Sequence, residues 1–295
     1  MQSHDEDILK RVRRIEIKTR GLSDEIFAGK YHTAFRGRGM SFAEVREYRA
    51  GDDVRDIDWN VTARSHRAHV KVYEEERELT MMLVVDVSPS RMFGSESITK
   101  KNLITEVAAT LAFSASKNND KVGCILFSDH IEKFIPPKKG RSHILMIIRE
   151  LVSFQPTTGR GTNISEALRY LVGVNKKRTT SFLLSDFINA VDDMPKFEDA
   201  LKISSSKHDL MAINIFDKRD RELPNVGVVE MEDAETGLRE WVDTSSRRVR
   251  EHWKRSFEER NAAMLKMLSH NRVDVAEVAT DGDFVVELIK MFKRR

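Results

Sequence analysis

The sequence predicts an α/β fold, a mostly parallel sheet covered by helices on both faces, and three observations carry that prediction. From about residue 80 onward short β-rich runs alternate with amphipathic stretches, which is the order of βαβ units. The runs LTMMLVVDV, KVGCILFS, TSFLLSDF, DLMAINIF and RVDVAEVA lack polar alternation, as strands buried on both faces do. A chain of 295 residues, 40% hydrophobic and 33% charged, is long enough to bury a sizeable core as one large domain or two small ones.

The elements follow in chain order. An N-terminal helix is predicted where Ile8, Val12 and Ile15 share one face, and the chain then turns irregular through RGRGMSF and YRAGDDVRDIDWN. After the first buried strand, Ile104, Val107, Ala108, Leu111 and Ala115 recur at helical spacing, so a helix covers the sheet there. HIEKFIPP follows the next strand across a Ser128-Asp129-His130 turn and closes on Pro136 and Pro137, which suits an antiparallel edge strand. Two more helical stripes follow, Ile144, Ile147, Ile148 and Leu151, then Ile164, Leu168 and Leu171. Residues 217 to 243 read as an inserted β-hairpin, VGVVEME and LREWVD flanking a turn from Asp233 to Gly237. A long helix comes next, with Thr244 or Ser245 as its cap and Val249, Trp253, Phe257, Met264 and Leu268 on its buried side.

Charge and cysteine content narrow the function classes. The 50 Lys+Arg nearly cancel the 47 Asp+Glu, so a net charge of +3 gives no reason to expect nucleic acid or an anionic membrane as partner. Cys124 is the single cysteine and sits in a strand-like run, which fits a reducing compartment, and the expected location is the cytoplasm. The longest apolar run, MMLVV, is far short of the roughly 20 residues of a membrane helix, and the acidic start MQSHDEDILKRVRR is unlike a signal peptide.

The chemistry lies at the carboxyl end of the first buried strand. Asp86, Ser88 and Ser90 place three oxygen side chains, two residues apart, in the loop where open α/β sheets bind ligands. GRGTNISEAL puts Thr162 in a glycine-flanked loop at the start of a helix, and TSFLLSDF carries Asp186 to the same edge. Two carboxylates and three hydroxyls form a hard, all-oxygen set suited to Mg²⁺ or Mn²⁺, with Ca²⁺ as the further candidate, and not to zinc. Because hydroxyls bring no formal charge, such an ion stays electrophilic and an open position on it would attract an acidic side chain from a partner. By itself DxSxS is an ordinary turn-and-cap pattern; the later GTN and SD, in that order, distinguish it.

This arrangement resembles the metal-ion-dependent adhesion site of the von Willebrand factor A fold. The resemblance implies a doubly wound, six-stranded sheet in the order 3-2-1-4-5-6 over residues 80–295, direct metal contacts from Ser88, Ser90 and Thr162, and contacts from Asp86 and Asp186 mainly through water. Upstream, Gly37-x-Gly39, Phe42, Arg46-x-Tyr48, Gly51-Asp52-Asp53-x-Arg55-x-Ile57-Asp58-Trp59 and Ala63-Arg64 resemble the bacterial family catalogued as domain of unknown function 58. That likeness makes residues 1–79 a family-signature segment packed on the core, and it implies a MoxR-type AAA+ ATPase as partner, with a client protein beyond it. The spacing Asp56-x-Asp58-x-Asn60-x-Thr62 imitates a calcium loop, but Val61 and Arg67 occupy positions that need Gly and Glu. Asp caps and Asp–Arg pairs fixing an irregular segment, with Trp59 packed beneath, account for the run more simply.

Other chemistries fit less well. A haloacid-dehalogenase phosphatase needs a second Asp where Ser88 stands, and no P-loop, dinucleotide fingerprint or GxSxG elbow occurs. His66 and His69 read as a hydrogen-bonded or solvated pair, and the basic run Arg247 to Arg255 as a solvated helix face. The expected function is therefore a non-enzymatic, metal-dependent protein-interaction module, an adaptor for the AAA+ ATPase. The alternative is a metal-dependent phosphoester hydrolase using the same site.

Overall fold

In the computed structural model, which describes residues 10–19, 41–74, 79–92, 99–155, 161–188, 194–232 and 237–295, ten strands occur among the described residues. They are β1 (Ser41–Glu47), β2 (His69–Glu74), β3 (Thr80–Asp86), β4 (Lys121–Phe127), β5 (Ile131–Lys138), β6 (Thr180–Ser185), β7 (Asp209–Phe216), β8 (Val228–Glu232), β9 (Arg239–Asp243) and β10 (Asp274–Ala279). Six of these make one sheet in the order β10-β7-β6-β3-β4-β5. All neighbours are parallel except β5, which runs antiparallel at the edge beside β4. Counted within the sheet, this is the 3-2-1-4-5-6 order of a von Willebrand factor A-like fold.

The unbroken apolar runs are explained by two-sided cover. Met81 to Val85 are fully buried, and alternate residues face opposite layers. Met82, Val84, Ile125, Phe127, Leu183 and Ala212 share one core cluster with Ile164 and Leu168, Phe197 and Leu201, and Met264 and Leu268. That face is thus covered by helices Ile164–Val174, Met194–Lys207 and Arg247–His270. Helix Lys100–Lys117 contacts β3, β6 and β7, and Phe292 of helix Phe284–Lys293 meets Phe182 edge-on, with centroids 6.2 Å apart. Gly123 is required where β5 bulges against β4: a Cβ there would lie 2.7 Å from Met82 Sδ and 3.0 Å from the Ile135 carbonyl oxygen.

The chain divides into two compact units, one within Phe35–Leu79 and the other comprising Met1–Ala34 with Thr80–Arg295. In the first, β1 and β2 pair antiparallel and a helix covers Trp59–Ser65; between β1 and that helix the chain read as irregular runs in turns and one short 3-10 helix, Val54–Asp56. Strands of seven and six residues leave little periodicity to detect. The Asp caps are present: Asp53 accepts from Arg55 N and Asp58 from Asn60 N and Val61 N. Trp59, however, is 68% exposed and does not pack beneath them, because its place at the first turn of that helix turns it outward. In the larger unit, residues 10–19 are helical, Val12 is buried, and Arg11 donates to Asn102 Oδ1 at 2.9 Å while Arg141 Nε donates to Glu16 at 2.7 Å.

The hairpin β8–β9 is antiparallel as predicted. The helix after it starts at Arg247 with Ser246 at the cap position, and neither Thr244 nor Ser245 caps it. Thr244 Oγ1 instead donates to the Gly227 carbonyl and accepts from Val226 N, closing the hairpin base, and Ser245 bonds Asp243. Ile8, Gly37, Gly39 and the turn residues Asp233 to Thr236 lie outside the described residues.

Candidate functional site

β3 ends at Asp86 in the middle of the sheet, and the chain passes at once into a short 3-10 turn, Pro89–Met92. That turn folds the two serines back over the strand end. Asp86 is buried; its Oδ1 accepts from Ser88 N at 2.9 Å and its Oδ2 from Ser185 Oγ at 2.6 Å. Ser88 and Ser90 are buried with their hydroxyl oxygens 3.0 Å apart, about the separation of two adjacent corners of an oxygen octahedron around a small divalent ion. Burial, then the charge of Asp186, pushes the Asp86 carboxyl up to about 6, against the bonds from Ser185 and Ser88. A divalent ion beside it would favour the charged form again.

Asp186 follows β6, and the next residue, Phe187, has a left-handed φ of 54°, an uncommon conformation for a bulky side chain. Its N–H donates to Ser185 Oγ at 3.1 Å, so one hydroxyl holds both the turn and Asp86. Asp186 is paired with Lys100 Nζ at 3.1 Å, and the same ammonium lies 2.7 Å from Asp220. Lys100 is 1% exposed. Burial opposes its charge, but the two carboxylates outweigh burial and hold it above the usual lysine range. Asp220 is itself raised, burial outweighing the pull of Lys100.

Thr162 is half-buried in the loop before helix Ile164–Val174, whose cap Asn163 accepts from Glu166 N. Asn163 N–H donates to the Ser128 carbonyl at 2.7 Å, which ties this loop to the end of β4. Thr162 borders a cleft of about 1310 Å³, whose walls also include Asp129, Asp220, Met231, Val242 and Trp253. The structure thus joins Asp86, Ser88 and Ser90 in one bonded cluster, sets Asp186 near enough to raise Asp86, and places Thr162 on the cleft wall.

Three contributors, Ser185, Lys100 and Asp220, were not singled out from sequence. Ser185 stands beside the recognised Asp186. Lys100 lies one helical turn before Ile104, on the extension of that buried stripe, which was the available signal. Asp220 belongs to a short helix, Lys218–Arg221, closed by a reciprocal capping box with Asp217, and only the tertiary structure brings it to Lys100. Arg91 is buried, donates to the Phe154 carbonyl at 2.8 Å and lies over the Phe154 ring; burial lowers its guanidinium to about 10.

Asp129, His130 and Glu132 form another group with ligand atoms within 4.8 Å of one another. His130 Nδ1 lies 2.6 Å from Asp129 Oδ1, and Ser128 Oγ donates toward both carboxylates. The bond to Asp129 raises the imidazole.

Relatives and solved structures resemble this chain at different levels. The uncharacterized protein Rv1480 of Mycobacterium tuberculosis is 28% identical over 287 residues, 96% of this chain and 88% of that one. An aerotolerance-related membrane protein of Bacteroides fragilis shares the fold, with a TM-score of 0.50 and 16% identity over 74% of this chain and all of that one. The VWA domain of SpRpn10 aligns with a TM-score of 0.40 and 10% identity over 72% of this chain and 93% of that domain. Among the described residues no helix is long and apolar enough to cross a membrane. The family model described as "Protein of unknown function DUF58" matches residues 44–263, and the chain belongs to that family.

Proposed function

We propose that this protein is a metal-dependent protein-interaction module of the cytoplasm, an adaptor that works with a MoxR-type AAA+ ATPase in assembling, activating or remodelling a client, and that it does no catalysis of its own. The observation that carries the reading is the bonded cluster of Asp86, Ser88 and Ser90 at the carboxyl end of β3; of the five expected ligands, Thr162 is the one that lines the cleft. The donor set fits Mg²⁺ or Mn²⁺: hard oxygens, two hydroxyls at adjacent-ligand spacing, and carboxylates close behind them. Ser88, Ser90 and Thr162 would hold the ion, with Asp86 and Asp186 in support. When bound, the ion supplies an electrophilic position for an acidic side chain of the partner.

The chain's own residues prepare that surface. Ser185 and the Ser88 amide fix the Asp86 carboxylate, Ser90 at the Pro89–Met92 turn holds its hydroxyl 3.0 Å from that of Ser88, and the Asn163–Ser128 bond anchors the Thr162 loop. Asp86 is a poor nucleophile for the competing hydrolase reading, since both of its oxygens accept hydrogen bonds in a buried setting. The ATPase as partner class rests on the family resemblance in the sequence. Affinity capture of the full chain with Mg²⁺ and with EDTA tests the reading. It predicts retention of the ATPase with Mg²⁺, loss with EDTA, and loss in Thr162→Ala at unchanged melting temperature. EDTA-insensitive capture by metal-loaded protein, or ester hydrolysis abolished by Asp86→Ala with capture intact, overturns it.

A further inference from the structure

Lys100 presents a second feature of this edge. Its ammonium is buried at the start of helix Lys100–Lys117, 3.1 Å from Asp186 and 2.7 Å from Asp220. Asp186 is thus a carboxylate for which a divalent ion and an internal cation compete. Asp220 is fixed independently of both: its Oδ2 accepts from Asp217 N at 2.8 Å, and its carbonyl accepts from Trp253 Nε1 at 2.9 Å. Asp217 in turn is buried and bonded to Thr280. The ammonium is therefore held from behind by a rigid acceptor, so it cannot follow Asp186 freely toward an incoming ion.

We propose that Lys100 is a built-in countercation that sets how tightly the Asp86–Asp186 edge binds a divalent ion, keeping that affinity low. The inference rests on the metal-site reading above. Charges in a buried, low-dielectric setting are felt strongly and screened little. With Lys100 present, two carboxylates, Asp186 and Asp220, share its ammonium; without it that charge is gone, and an incoming cation gains the difference. Removing Asp220 has the opposite consequence, since the whole ammonium then serves Asp186.

The test is Mn²⁺ binding by the full chain, followed by electron paramagnetic resonance of the free ion and by titration calorimetry, with melting temperature recorded for each protein. Lys100→Gln should bind Mn²⁺ about tenfold or more tightly than wild type, and Asp220→Asn more weakly. A merely structural role for Lys100 would weaken binding in both variants, because each would loosen the site. Folded Lys100→Gln that binds no better than wild type overturns the inference and leaves the metal-site reading standing. No Mn²⁺ binding by wild type, Lys100→Gln or Asp220→Asn overturns both. Should Lys100→Gln fail to fold, Lys100→Met takes its place: tighter binding than wild type supports the inference, and equal or weaker binding overturns it.

Discussion

Asp52, in the Phe35–Leu79 unit, and Asp86, at the end of β3, are the same residue type placed in opposite surroundings. Asp52 receives both guanidinium nitrogens of Arg46 at 2.7 Å and the Arg49 amide at 2.8 Å at the surface, and its carboxyl is held down at about 2, mainly by Arg46. Asp86 accepts only neutral donors among its hydrogen bonds and is pushed up to about 6 by burial. A pair at the surface ties a loop together at little desolvation cost, whereas a carboxylate inside the fold carries an unmet demand for positive charge. Arg91 carries one positive charge that acts on Asp86, and the comparison supports the proposal of a cation site at the end of β3 over one in the acidic run of the signature segment.

The largest effect that would break this contrast is expected at Lys100. Lys100→Met leaves Asp186 and Asp220 without the ammonium between them, and loss of one partner in a buried ion pair costs about 3–5 kcal/mol. Chemical denaturation of the metal-free protein measures it; a loss no greater than that of a surface substitution would place the triad with the exposed pairs.

Asp86→Asn sharpens the contrast through pH. The carboxyl of Asp86 is raised in the folded state, so its contribution is complete below the usual carboxylate range and is lost as pH rises through about 6. Metal-free wild type should therefore lose roughly 2–3 kcal/mol relative to Asp86→Asn between pH 4 and pH 7. Added Mg²⁺ should recover stability in wild type alone. Parallel pH–stability curves for the two proteins would refute the assignment.

The smallest effect is expected at Asp52→Ala. The pair with Arg46 is exposed, so any loss should shrink further as salt is raised, and guanidinium-free urea denaturation at low and high salt checks it. A large, salt-independent loss would show that the signature segment depends on this pair as a buried one would.

Much of the architecture was legible because it depends on local pattern. Unbroken apolar runs marked β3, β4, β6, β7 and β10, and the proline-closed run marked β5 as the edge. β1, β2 and the Trp59–Ser65 helix escaped notice because short, half-exposed elements carry weak periodicity. Trp59 was assigned to an interior by its residue type, which says what a side chain can bury but not which way a helix turns it.

The sequence by itself determined which residues could serve as hard oxygen donors and which strand ends carry them, since Asp86 closes β3, Ser88 and Ser90 follow it at once, Asp186 follows β6, and Thr162 precedes a helix. Only the tertiary structure decided which charges those donors face. Lys100, Asp186 and Asp220 are separated by 86 and 34 residues along the chain and meet because a helix start, a strand end and a capping turn converge on one edge of the sheet. Hydrophobic periodicity is a local property that a chain displays in one dimension; electrostatic partnership depends on distance and burial, which exist only once the chain has folded.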